Sequence, residues 1–138
     1  MTTKIDGQIV IKFIKLKGDE IMYDDVDELI KIYDLFIQEL EFFSSDFKIQ
    51  YDVLKESQMN IANDIANEFS YIEKDRATIL YEHEWLTREQ YDLVLQIENK
   101  LSVMSDSKNL WWNDALEKSS EWEECRTIGK ELLKSLGY

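Results

Sequence analysis

Residues 26–43 have the sequence VDELIKIYDLFIQELEFF, in which apolar side chains recur at steps of three and four. This spacing places them on one face of an α-helix, because a helix completes a turn every 3.6 residues. The members of this face are Val26, Leu29, Ile30, Tyr33, Phe36, Ile37, Leu40 and Phe43. It is the clearest periodic signal in the chain, and it predicts a mainly α fold.

A second apolar stripe begins after a polar interruption at residues 44–46 and continues for more than thirty residues. Its members are Phe47, Tyr51, Leu54, Ile61, Ile65, Phe69, Ile72 and Ile79. One unbroken helix over 47–86 would be roughly 60 Å long, which is more than a domain of this size needs. The alternative is a break near the charged sequence EKDR at 73–76. The pattern leaves both possibilities open.

Two pairs of polar residues have the spacing of a capping box, in which the first and fourth residues satisfy each other's backbone N–H groups. Thr87 with Gln90 predicts the start of one helix, and Ser120 with Glu123 predicts the start of the last one. A short helix is expected between them, from Leu110 to about residue 118. Four or five amphipathic helices with short polar connections favour an antiparallel bundle over residues 24–138.

The N-terminal residues have a different character. Residues 8–17, QIVIKFIKLK, are rich in Ile, Val and Phe and predict a β-strand, while residues 21–23 are suited to a short return strand. The expected fold is therefore one domain, 1–138, with a β-strand or hairpin element at 1–23 preceding the bundle. Because a lone hairpin exposes unpaired backbone groups, we expect a homodimer or a hetero-complex.

Acidic residues are concentrated in the middle of the chain. The 138-residue protein has a net charge of −13, and residues 19–98 alone carry 21 acidic and 6 basic side chains. Binding to phosphates or anionic lipids needs Lys and Arg, so neither direct nucleic-acid binding nor membrane binding is expected. A basic protein partner is the expected counterpart of this charge. The alternative is that the acidic surface only keeps the protein soluble.

The sequence contains none of the glycine-rich or nucleophile motifs GxGxxG, GxxxxGK[ST] and GxSxG. His83 is the only histidine, and Leu80 stands where a di-iron bundle would have glutamate. Cys125 is the only cysteine and cannot form an intramolecular disulfide, which, with no signal-peptide pattern, favours a cytoplasmic location. We therefore expect no catalytic residues, no cofactor and no metal site, and hence no enzyme.

Two sets of residues are candidates for partner binding. Asp64, Glu68 and Glu73 are acids of the central region and are expected to be exposed to a basic partner. Trp111 and Trp112 are adjacent, so on a helix their side chains diverge by about 100°. Either one of them is exposed and contacts a partner, or both rings close the end of the bundle.

Together these features favour a non-enzymatic acidic interaction protein. Its expected role is to bind, and to inhibit or neutralise, a basic partner such as a nuclease or a nucleic-acid-binding protein. Immunity proteins, antitoxins and phage anti-defence proteins act in this way. The alternative is a structural or regulatory subunit of a larger assembly, which would use its strand edge and apolar helix faces in an obligate interface.

Overall fold

The computed structural model describes residues 23–56 and 60–138, and this part of the chain is predominantly helical. The prediction of a mainly α protein is confirmed. The predicted strand or hairpin at 1–23 lies outside the described residues except at its last position. Tyr23 already belongs to the first helix, so the predicted end of the hairpin element at residue 23 is one residue too late.

The helices follow one another with short connections. They are α1 (Tyr23–Phe43), α2 (Phe47–Leu54), α3 (Ile61–Glu68), α4 (Lys74–Glu82), α5 (Arg88–Met104), α6 (Asn113–Lys118) and α7 (Ser120–Ser135). A π-helical turn, Phe69–Glu73, joins α3 to α4, and a 3-10 turn, Lys108–Trp111, precedes α6.

Helix α1 supplies a large share of the core, as its sequence predicts. Seven of the eight side chains on the predicted face are buried, and Ile30 is half-buried. Phe36 and Leu40 are completely enclosed. Burying a large apolar side chain contributes about 1.5–3 kcal/mol relative to leaving it exposed, so this face is a principal source of stability.

The second apolar stripe does not form one helix. Helix α2 ends at Leu54 and α3 begins at Ile61, so the unbroken helix over 47–86 is wrong. The predicted break at 73–76 is also wrong, because the backbone stays helical there. The start of α3 is fixed by Asn60, whose side-chain oxygen accepts hydrogen bonds from the N–H groups of Ala62 at 2.9 Å and Asn63 at 3.4 Å.

The capping box that was predicted for α5 is confirmed. The N–H of Gln90 donates to the Thr87 hydroxyl at 3.1 Å, and the N–H of Thr87 donates to the Gln90 side chain at 2.9 Å. The second predicted box is wrong by one residue. Ser119, rather than Ser120, caps α7 and accepts a hydrogen bond from the N–H of Trp122 at 3.2 Å.

Helices α5 and α7 make the most extensive contact among the helices and run in opposite directions. Near one end, the Gln90 amide donates to the backbone oxygen of Ser135 at 3.2 Å; further along, Lys100 pairs with Glu124. Cys125 is buried between the two helices, 3.9 Å from the sulfur of Met104. For the helices as a set, the antiparallel bundle stays a prediction.

Among the described residues, no helix is both long enough and apolar enough to span a bilayer.

Candidate partner-binding groove

The π-helical turn changes which side of the chain faces the core. Ile61, Ile65 and Phe69 are buried at steps of four, and a regular α-helix would bring Ile72 inward next. Instead, the N–H of Lys74 donates to the carbonyl of Phe69, five residues back, which places one more residue in the turn. Glu73 is therefore buried, with 1% of its surface exposed, while Ile72 is 42% exposed.

The burial of Glu73 is only partly compensated. Its Oε1 accepts a hydrogen bond from Nη1 of Arg76 at 3.4 Å, whereas its buried Oε2 accepts none from any described residue. Burial raises the pKa of Glu73 to about 9, although the positive charge of Arg76 acts in the opposite direction. The carboxyl group is thus protonated at neutral pH. The expectation that Glu73 is an exposed acid is wrong.

Two further carboxyl groups interact electrostatically with the same arginine. Oε2 of Glu68 is 3.9 Å from Nη1 of Arg76, near the limit for an ion pair. Glu39 of α1 has its pKa raised by burial and by the charge of Glu68, while Arg76 lowers it. The charge of one guanidinium group therefore acts on three carboxyl groups from three different elements, and two of them, Glu73 and Glu68, are within ion-pair distance.

The three glutamates, Glu39, Glu68 and Glu73, line a groove with a cavity volume of about 720 Å³ between α1, α2, α3 and the π-helical turn. We call it the acidic groove, and its acidic side chains are Glu39, Asp64, Glu68 and Glu73. Its other described side chains are largely apolar, including Phe42, Phe43, Leu54, Ile65 and Phe69, and none of them is Lys or Arg. The groove thus combines an apolar wall with carboxyl groups from α1, α3 and the turn.

Exposed apolar side chains lie on two sides of the acidic groove. Val53 of α2 is 61% exposed, and Tyr71 of the π-helical turn is 73% exposed. Both line the groove, as does Ile72. Single exposed apolar residues are common on protein surfaces, but several around one cavity are typical of a binding site.

The three predicted acidic residues, Asp64, Glu68 and Glu73, all line this one groove. Sequence reasoning missed Glu39, because the charge run gave no sign that α1 packs against the π-helical turn. It also gave no signal for the burial of Glu73, since the apolar stripe favoured Ile72 at the inward position. The tertiary packing of the turn, rather than any local motif, brings these groups together.

Trp111 and Trp112 are not part of the acidic groove. Trp111 is half-buried; its indole N–H donates to the Met104 carbonyl at 3.0 Å, and its ring packs edge-on against Trp122. Trp112 is 65% exposed. The hypothesis that both rings close the end of the bundle is therefore wrong for Trp112, whose ring is exposed. Contact of this ring with a partner stays a prediction.

His83 and Cys125 are the two remaining residues that were considered for a chemical role. A ring nitrogen of His83 lies 2.9 Å from the Ile79 carbonyl, and burial raises the pKa of the Cys125 thiol to about 11. Across the described ranges, no cluster of three or more His, Cys, Asp or Glu residues is arranged to hold a metal ion.

No protein-family model, curated protein or solved structure matches this chain. Its function therefore has to be inferred from its own residues.

Proposed function

We propose that this protein is a non-enzymatic interaction protein whose acidic groove binds a basic segment of a protein partner. The observation that carries the proposal is the combination of four carboxyl side chains with an apolar wall, and the absence of Lys and Arg from the described lining. A segment that carries both basic and apolar side chains complements both properties.

The size of the groove suits a few side chains of a partner segment. Its volume of about 720 Å³ is within the range of about 300–1,000 Å³ that is usual for ligand pockets. Burial of the partner's apolar side chains against Phe42, Leu54 and Ile65 supplies affinity. The acidic residues supply orientation and a fast encounter, because long-range attraction accelerates the association of oppositely charged surfaces.

The proposed outcome of binding is inhibition or neutralisation of the partner. Nucleases and nucleic-acid-binding proteins carry Lys and Arg that neutralise phosphates, so an acidic protein that covers these residues competes with the nucleic acid. The proposal includes the role of an immunity protein, antitoxin or phage anti-defence protein, a cytoplasmic location, and a homodimer or hetero-complex of antiparallel bundles.

A second candidate function is that of a structural or regulatory subunit of a larger assembly. The observation that favours it is the presence of exposed apolar side chains outside the acidic groove, of which Val103 and Trp112 are the most exposed at 65% each. An interface built on such side chains is held by apolar burial and depends weakly on salt. Salt dependence therefore separates the two functions.

The experiment uses a synthetic amphipathic peptide, with lysines on one helical face, leucines on the other and one central arginine, as a probe. The affinity of the peptide is measured by calorimetry at about 0.1 M and about 1 M salt. The Debye length falls from about 10 Å to about 3 Å between these concentrations. We expect the affinity to fall at least tenfold. Indifference to salt would favour the assembly subunit.

Matched charge reversals locate the binding site. The double variant Asp64→Lys with Glu68→Lys changes the acidic groove, and Asp106→Lys with Glu117→Lys makes the same change of charge at exposed positions outside it. We expect at least tenfold weaker peptide binding for the first variant and less than a twofold change for the second. Equal losses would show that net charge, rather than the groove, determines binding. Cell extracts are then passed over both immobilised variants. The natural partner is expected to bind the variant with the intact groove and not the variant with the changed groove.

A further inference from the structure

We propose that Glu73, together with Glu39 and Glu68, forms a subsite of the acidic groove that binds the guanidinium group of one arginine side chain of the partner. This inference rests on the proposed function, because the basic segment supplies the arginine. It adds a defined position and a defined chemical group to that proposal.

The first observation is the unused hydrogen-bonding capacity of Glu73. The residue is 1% exposed, lines the groove, and its Oε2 accepts no hydrogen bond from the described part of the chain. A buried acceptor without a donor destabilises the folded protein, because the group has lost its hydrogen bonds to water. A guanidinium group carries five N–H donors in a planar fork, so it is able to bond a carboxylate with two parallel hydrogen bonds.

The second observation is the geometry of Arg76. Its Nη1 lies 3.4 Å from Glu73 and 3.9 Å from Glu68, whereas a strong bond between a guanidinium and a carboxylate is about 2.7–2.9 Å long. Arg76 therefore satisfies neither carboxyl group well. Glu39, on the facing helix α1, adds a third carboxyl group, so a second cation would balance the local charge.

The third observation is the π-helical turn itself. It places Glu73 inside and Ile72 outside, although apolar burial favours the opposite arrangement. A π-helical turn within an α-helix is frequently found at functional sites. A subsite for a cation accounts for a carboxyl group at this position.

Proton release is the expected signature of the subsite. Free Glu73 is protonated at neutral pH, because burial raises its pKa to about 9. The groups that face it are Glu39 of α1, Glu68 of α3 and Arg76 of α4; the described α2 residues in the lining, Val53 and Leu54, do not titrate. A guanidinium bound at Glu73 stabilises the carboxylate, so binding releases the proton to solvent.

The test measures proton release when the peptide with one central arginine binds at pH 7.5, by calorimetry in two buffers that differ in ionisation enthalpy. We expect the wild type to release about one proton per peptide and the Glu73→Gln variant to release none. Between pH 7 and pH 9 the affinity of the wild type should rise by up to tenfold per pH unit, since one proton is exchanged. The affinity of Glu73→Gln should stay constant.

A control peptide and a second variant of the subsite complete the experiment. A peptide with citrulline in place of the arginine keeps the shape but lacks the charge, and should release no proton. The variant Glu68→Gln changes a partly exposed residue, and should weaken binding of the arginine peptide more than binding of the citrulline peptide.

The outcomes separate the subsite from the groove. Salt-sensitive peptide binding without proton release, and with the same pH dependence in Glu73→Gln, would overturn the subsite and leave the proposed function intact. If no peptide binds, the proposed function fails, and the subsite is tested with N-acetylarginine amide alone. The carboxyl ¹³C signal of Glu73, assigned through Glu73→Gln, should then move towards the ionised position with this probe and not with N-acetylcitrulline amide; an unchanged signal would overturn the subsite as well.

Discussion

A Cβ atom added to Gly129 would lie 3.1 Å from the Cβ of Ser44 and would overlap its hydroxyl oxygen. Gly129 is buried in the middle of α7, and Ser44 follows directly on the last residue of α1. The absence of a side chain thus sets the distance between α7 and the end of α1. Ser44 itself is buried, and its hydroxyl has no hydrogen-bond partner among the described residues.

The variant Gly129→Ala is expected to be less stable by about 1–3 kcal/mol, the usual effect of overpacking. Within a helix this substitution normally stabilises by about 0.5–1 kcal/mol, so a loss identifies the contact with Ser44. Urea unfolding measures the change. The double variant with Ser44→Gly should recover part of the loss, and Lys130→Ala, at the exposed neighbouring position, should change little. A gain in stability for Gly129→Ala would contradict the close approach.

The stability of the protein should fall as the pH rises, because of Glu73. Its pKa is about 9 in the folded state and has an ordinary value of 4.5, so folding binds a proton between these values. Over this window the group lowers the free energy of unfolding by up to about 1.4 kcal/mol per pH unit. Glu73→Gln removes the titration and should be more stable than the wild type by about 2–4 kcal/mol at pH 8, with a much smaller difference at pH 5.

Urea unfolding of both proteins across the pH range checks this expectation. Glu117→Gln, at an exposed position, is the control and should run parallel to the wild type. If the difference between Glu73→Gln and the wild type does not change with pH, Glu73 does not titrate in this window.

The two residues that precede α3 and α2 provide a comparison of helix caps. Asn60 accepts hydrogen bonds from two N–H groups of α3, whereas the Asp46 side chain makes none to the described N–H groups of α2. Asn60→Ala should therefore destabilise by about 1 kcal/mol, and Asp46→Ala by clearly less. Thermal unfolding at pH 6 gives both values. A larger effect at Asp46 would be inconsistent with the cap at Asn60.

The tryptophans should separate into structural and surface residues. Trp122 is buried and donates a hydrogen bond to the Leu110 carbonyl at 2.7 Å, so Trp122→Ala should destabilise by about 3–5 kcal/mol. Trp112→Ala should change the stability by no more than about 0.5 kcal/mol. Acrylamide quenching of tryptophan fluorescence should decrease strongly in Trp112→Ala. Quenching that is unchanged in this variant would argue against the exposure of Trp112.

Sequence periodicity correctly predicts the buried side chains where a helix is regular and packs along one face. The α1 face from Val26 to Phe43 and the Thr87–Gln90 capping box depend on neighbouring residues only, so both were predictable. In the second stripe periodicity correctly predicted the burial of Ile61, Ile65 and Phe69, but it failed after Phe69. Ala77 and Leu80 are buried there, while Ile72 and Ile79 are partly exposed. One added residue in the π-helical turn rotates all following side chains, and a pattern that assumes 3.6 residues per turn has no means of detecting it.

The candidate site shows the same division between local and tertiary information. Charge density alone pointed to Asp64 and Glu68, and both line the acidic groove. The contribution of Glu39 depends on how α1 lies against the π-helical turn, which no local sequence pattern records. Reasoning from charge also misjudged Glu73, because it assigns acids to the surface by default.

The burial of Cys125 makes the protein convenient for site-specific labelling. The only thiol of the chain is completely enclosed and has a pKa of about 11, so at pH 7 it presents almost no thiolate to a maleimide. A cysteine introduced at Val53, beside the acidic groove, would be the single reactive site without removal of the native residue. A dye or spin label attached there would report directly when the groove is filled.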